Sequence, residues 1–128
     1  MAITNLSLLL KNANPQHIPG TYVFVSLQNP SLYLIDKSTM TFKEKEGTTL
    51  IVSKEIAKQE NIPFKSEFSW IMMEINSDLE AVGFTAAFST ELTKHGISCN
   101  VVAGYFHDHL FVPFAKVDEA LQVLSNLG

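Results

Sequence analysis

The sequence has one cysteine, Cys99, so no intrachain disulfide can form. A buried core has to hold the fold. The thiol sits in an apolar run and is expected to be a small buried hydrophobe in a reducing compartment, which implies a cytoplasmic location. Excess basic charge is missing too. Nine Lys and Arg against thirteen Asp and Glu leave a net charge of −4. The basic face that a phosphate backbone requires is therefore not available, and no nucleic-acid partner is expected. No apolar run approaches the roughly 20 residues of a membrane span. "LSLLL", residues 6–10, has neither a basic leader before it nor a small-residue cleavage pattern after it, so no membrane partner is expected and the segment is a short helix instead. Catalytic signatures are equally sparse. HExxH, CxxC and GxSxG spacings do not occur, and Cys99 has no cationic neighbour in sequence to lower its pKa. Neither an enzyme nor a bound cofactor is expected.

What is present is a compact globular composition, 46% hydrophobic and 17% charged over 128 residues. A chain of this size buries roughly two-thirds of the surface its unfolded form exposes. Thr4 is positioned to cap a first helix ending at "NANP", and "GTYVFVSL" has the β-rich pattern of a strand. "PSLYLIDKST" is expected to be irregular or a single turn. "MTFKEKEGTTLIVS" carries a hairpin signal at Glu46-Gly47, with "KEKE" as a solvated strand face, and Ser53 offers an N-cap to "KEIAKQE".

The second half is more strongly patterned. In "SEFSWIMMEI", Phe68, Trp70 and Met72 alternate with Ile71, Met73 and Ile75, as a strand covered on both faces requires. Ala81, Phe84, Thr85, Phe88 and Leu92 recur at helical spacing and predict a helix over residues 82–95, ending at Gly96. Gly83 would then lie in that helix's first turn, where it costs roughly 1 kcal/mol relative to Ala and invites a reason such as close backbone approach. "SCNVVAGY" and "HLFVPF" predict two further strands, and Val117, Ala120, Leu121 and Leu124 mark a closing helix.

These segments form a worn internal repeat. "TYVFVSL" from residue 21 answers "SWIMMEI" from residue 69, and "GTTLIVSKEIAKQ" answers "DHLFVPFAKVDEALQ". The first copy keeps only "NPSLYLID" where the second has its long helix. The division is residues 1–63 and 64–128, expected to share one folding unit because no linker separates them.

"HDH" at residues 107–109 is the one place where ligand-like side chains crowd together. Histidines two apart on a strand point the same way, so His107 and His109 are the only candidate metal pair, but no third and fourth ligand stands at recognisable spacing. No metal is expected. The plainer reading makes "YFHDH" a polar tip between two strands.

The stretch "VGFTAAFSTELTKHGIS", running from Gly83 through an apolar stripe to Gly96, resembles the first helix of ACT domains. That resemblance implies an α/β (α+β) fold of tandem ferredoxin-like βαββα repeats, with a mainly antiparallel sheet and helices packed on one face. ACT domains are regulatory modules whose effectors, amino acids and related molecules, commonly bind where the turn before this helix, here "NSDLEAVG" at residues 76–83, meets a neighbouring module. "DHLFVP", residues 108–113, is similar to an element in small bacterial ACT-like proteins related to the cytosolic arginine sensors of animal cells. The sensors carry more ACT-like units than this chain, and its first half lacks the long helix, which leaves a pocket here missing, blocked or completed by a second subunit. The resemblance implies ligand contacts at Gly104, Tyr105 and Asp108, with Glu80, Val82, Gly83 and Phe84 offering the helix start. It further implies a small-molecule effector and a homodimer. A partner-docking module without a ligand, or a metal protein using the "HDH" segment, stands as the alternative.

Overall fold

The computed structural model describes residues 2–128, which form two compact units. In chain order the elements are α1 (Leu6–Lys11), β1 (Pro15–Leu27), α2 (Leu32–Lys37), β2 (Met40–Lys43), β3 (Thr48–Ser53), α3 (Lys54–Gln59), β4 (Phe68–Met73), α4 (Phe84–Lys94), β5 (Asn100–Ala103), β6 (Asp108–Pro113) and α5 (Val117–Leu124). After α1 the order is β-α-β-β-α twice over, the tandem ferredoxin-like arrangement that the repeat predicts.

One unit comprises residues 20–68. Its strands run β2-β3-β1, both pairs antiparallel, with Val23 opposite Val52 and Val25 opposite Leu50. Those four side chains are buried with Leu34 of α2, Ala57 of α3 and Ile62, so both helices cover one face of the strands. The segment expected to be irregular or a single turn is the six-residue helix α2, capped by Ser31, whose hydroxyl accepts from the Leu34 N–H. Ser53 caps α3 in the same way, accepting from the Ile56 N–H. Both are one-oxygen solutions to the unpaired donors of a helix start. The hairpin turns at residues 44–47, where Gly47 has φ +153° and an added Cβ would lie 2.9 Å from Ser26 Oγ.

The other unit comprises residues 2–19 and 69–128. Its last three strands run β4-β6-β5, with β5 antiparallel to β6 and Val102 opposite His109. Ile71 and Met73 of β4 and Leu110 and Val112 of β6 point to the face covered by Phe84, Phe88 and Leu92 of α4 and by Ala120 and Leu124 of α5. Trp70 and Phe111 occupy the opposite face, their rings stacked at 5.8 Å. Leu9 of α1 completes the core, capped by Asn5 rather than Thr4, because the Asn5 side chain reaches the Leu8 N–H.

Two expectations for α4 are corrected. The helix begins at Phe84, not at residue 82, and Gly83 is its N-cap with φ +96°. That left-handed value suits a residue without Cβ, and an added Cβ would sit 3.3 Å from Leu6 Cδ2. Thr85 is exposed, so the buried stripe is Phe84, Phe88 and Leu92. Phe84 and Phe88 meet edge to face at 5.1 Å. Phe88 is completely buried, and truncating it removes both its transfer energy and that contact. Phe88→Ala should therefore cost about 3–5 kcal/mol, measured by chemical denaturation. A loss below about 1 kcal/mol would contradict the packing described.

Candidate functional site

The chain leaves β4 after Met73 and does not enter the next helix directly. The Glu74 and Ile75 N–H groups donate to Asn14 and Ala13 carbonyls, and Ile3 bridges to the segment on both sides of Ser77, accepting from the Asp78 N–H and donating to the Asn76 carbonyl. Asp78 then folds the chain back on itself. Its carboxylate accepts the Glu80 N–H at 2.8 Å and its carbonyl accepts the Ala81 N–H, a short-range pattern that Asp adopts readily at turns. Residues 76–80 are thus held as a shaped wall.

The opposing wall is the β5–β6 loop. Gly104 donates its N–H to the His107 carbonyl at 2.9 Å, and an added Cβ at Gly104 would lie 2.8 Å from that same oxygen. Only glycine closes this turn without a shift of backbone. The closure pushes Tyr105 and Phe106 outward, their rings in edge contact at 5.0 Å. Between the two walls lies a cleft of about 530 Å³ lined by Ala2, Asn76, Asp78, Leu79, Glu80, Tyr105 and Phe106. Its size falls within the range of small-molecule sites.

Asp108, the first residue of β6, is 7% exposed. Its Oδ2 accepts from Ser77 Oγ at 3.0 Å, and Ser77 stands between the lining residues Asn76 and Asp78. A buried carboxylate needs such a donor, since leaving one unpaired costs several times what an exposed one would. The bond fastens one wall of the cleft to the strand that follows the other.

The structure brings Glu80 and Tyr105 together at the cleft, with Asp108 behind it and Gly104 shaping the loop. Val82 is 84% exposed, and the Phe84 side chain is only 3% exposed because it belongs to the core, which leaves only its backbone for contact with a ligand. Gly83 lines a different depression, shared with Leu10, Ala86, Ala87, Thr90, Glu91 and Leu127. The turn "NSDLEAVG", where the resemblance puts an effector, contains Asn76, Ser77, Asp78 and Leu79, but no pattern in it singles out the inward turn of Ser77, and Phe106 was not among the expected contacts.

His109 lies on the Trp70 side of the strands. His109 Nδ1 accepts from the Trp70 indole N–H at 3.0 Å, and its ring tilts against Trp70 at 5.6 Å. Burial holds its pKa below 6.5, His107 lowers it further, and Asp108 opposes them. His107 and His109 rings are perpendicular at 6.5 Å, and His107 Nδ1 is a buried atom with no hydrogen-bond partner. Among the described residues no group of three or more His, Cys, Asp or Glu side chains gathers to hold a metal. Cys99 is half-buried against the core, and burial pushes its thiol up to about 11, so it is neither a ready nucleophile nor a ready ligand.

Known proteins bear on this geometry as follows. ACT-domain models match residues 1–69 and 65–126. The crystal structure of a Vibrio cholerae protein of unknown function, described as a possible transport protein, is 46% identical, covers 96% of this chain and 95% of its own, and superposes with a TM-score of 0.86. An Agrobacterium tumefaciens protein at 16% identity, covering 89% and 87%, has a TM-score of 0.67. The aspartokinase alpha and beta subunits at 12% identity, covering 86% and 93%, have a TM-score of 0.61. These two share the fold. A curated relative, the DNA-directed RNA polymerase 147 kDa polypeptide of Monkeypox virus, is 25% identical over 127 residues, or 87% of this chain. The chain spans about a tenth of the length of the curated relatives it matches, and the polymerase's activity does not transfer with so small a part. ACT domains are regulatory, generally non-catalytic modules that bind small-molecule effectors and oligomerise. With a model of the family matching more than half of its length and the βαββα order present twice, this chain belongs to the ACT-domain family.

Proposed function

We propose that the protein is a non-catalytic cytoplasmic sensor that binds a free amino acid, or a similar small zwitterion, in the cleft between residues 76–80 and the Tyr105–Phe106 loop. The observation that carries this reading is the cleft itself, in which acidic, amide and aromatic groups converge from two walls. An amino acid presents an ammonium and a carboxylate some distance apart. The carboxylates of Asp78 and Glu80, with Asp108 behind them, suit the ammonium through charge-assisted bonds, and the Tyr105 ring can add a cation–π contact. The Asn76 amide suits the carboxylate. Gly104 contributes by shaping the loop rather than by contact.

The cleft opens on apolar surface. Leu79, Val82, Tyr105 and Phe106 are all exposed, Val82 by 84% and Tyr105 by 77%. Exposed apolar side chains at the rim of a cleft suit an interaction site, and a second copy of the chain covering Leu79, Tyr105 and Phe106 would close the cleft over a ligand. A homodimer is therefore part of the proposal, and a structural or partner-docking role without a ligand is its competitor.

Thermal shift with each of the twenty amino acids at saturating concentration tests the ligand. A ligand in hundredfold excess over its Kd should stabilise the fold by about 2.7 kcal/mol. Asp108→Asn keeps an oxygen able to accept from Ser77, so the fold should survive. The carboxylate stands behind the lining, so losing its charge should weaken binding by less than the roughly 1.5–3 kcal/mol of a direct hydrogen bond to a charged group. No shift with any amino acid, or a shift indifferent to Asp108→Asn, would transfer the reading to partner docking. In light scattering the protein should have twice its 14.2 kDa chain mass at micromolar concentration, and a persistent monomer would remove the dimer from the proposal.

A further inference from the structure

Trp70 and His109 lie on neighbouring strands, and the bond between them has a direction that only one charge state of the imidazole allows. The indole N–H is a donor with no lone pair to offer, so His109 Nδ1 must be the acceptor, at 3.0 Å. The neutral ring then carries its proton on Nε2. That nitrogen packs on the β5–β6 loop, where an added Cβ at Gly104 would lie 3.1 Å from it. One imidazole therefore holds Trp70 with one nitrogen and sets the other beside Gly104 of the loop.

We propose that the Trp70–His109 hydrogen bond is a pH-operated latch on the β5–β6 loop, closed while His109 is neutral and opened when it takes a proton. Protonation puts hydrogen on both ring nitrogens, so two N–H groups face each other across 3.0 Å and the ring must turn away. As it turns it leaves Gly104, whose N–H closes the loop on the His107 carbonyl. The loop so released carries Tyr105 and Phe106, one wall of the cleft.

The groups around the ring fix the direction. On β4 the partner is Trp70, which has no charge, and opposite His109 on β5 stands Val102. The loop contributes His107, which opposes a second positive charge, and β6 contributes Asp108, which favours it. Burial is the largest influence and disfavours the proton, so the latch opens below pH 6.5 rather than above it. The sign follows for stability as well. A base that binds its proton less readily in the folded state stabilises the fold above its ordinary pKa, and that stabilisation is lost as pH falls below about 6.5. A loosened wall would also weaken effector binding in acid, a consequence that rests on the ligand-binding reading above. The latch itself stands or falls without any ligand.

The test uses the single tryptophan as its own reporter. In proton–nitrogen NMR of the full chain, titrated from about pH 7.5 to about 4.5, the indole N–H resonance and the amides of residues 104–107 should shift together with one midpoint below 6.5. His109→Gln supplies a carbonyl that accepts the indole N–H without titrating, so the step should vanish while the folded spectrum remains. His107→Gln should retain it. A flat indole resonance in the unaltered protein, loop amides that stay still while the indole titrates, or a step surviving in His109→Gln would each overturn the latch. Should His109→Gln fail to fold, Trp70→Phe gives an independent reading. Removing the donor should raise the His109 midpoint, seen in its ring protons, and an unchanged midpoint would overturn the proposal.

Discussion

A carboxylate with little access to water, Asp108, is the constraint on which the architecture of the cleft depends. It needs a donor, and the donor is the Ser77 hydroxyl from the connection after β4. Because both residues are buried, neither can exchange its partner for solvent, and the connection has to turn inward at that point. The Asp78 turn and the exposure of Leu79 follow from the same geometry. Tyr105 and Phe106 face that wall because Asp108 starts the strand immediately after their loop. A hydrogen bond therefore decides the position of a surface that itself contains few fixed contacts.

Glycines set the remaining shape, each for a different physical reason. Gly83 supplies the left-handed backbone that lets the chain enter α4 with Phe84 already pointing into the core. Gly104 supplies room, since its neighbour is a carbonyl oxygen that cannot move aside. The first is a conformational requirement and the second a steric one. A rigid frame with a variable rim is what a module needs if different family members are to recognise different effectors on one fold.

Much of the fold was legible in the sequence because burial imposes periodicity. The stripe through Phe84, Phe88 and Leu92 and the alternation along residues 68–75 are direct records of helix and sheet contact, and the twofold βαββα order emerged from comparing the halves. The failures share a cause. Thr85 satisfied the helical spacing yet faces solvent, and α2 was underestimated because six residues are too short for spacing to speak and only the Ser31 cap holds its start. At the candidate site, Asp108, Tyr105 and Glu80 came from family likeness and turn chemistry. Ser77 did not, because its role depends on a partner 31 positions away, which no local pattern encodes. His109 was read as part of a polar tip, and its bond to Trp70 across 39 positions gives it a structural role that spacing alone does not show.

The central claim is that an amino-acid effector occupies the space between two particular walls. Amide hydrogen exchange, compared with and without the stabilising amino acid, reads that location directly because ordering a wall slows the opening of its amides. The account predicts protection concentrated at residues 76–80 and 104–107, with the core of α5 and the β2–β3 hairpin unchanged. Protection centred instead on the surface around Lys54 and Lys58, or none at either wall despite a saturating ligand, would contradict it.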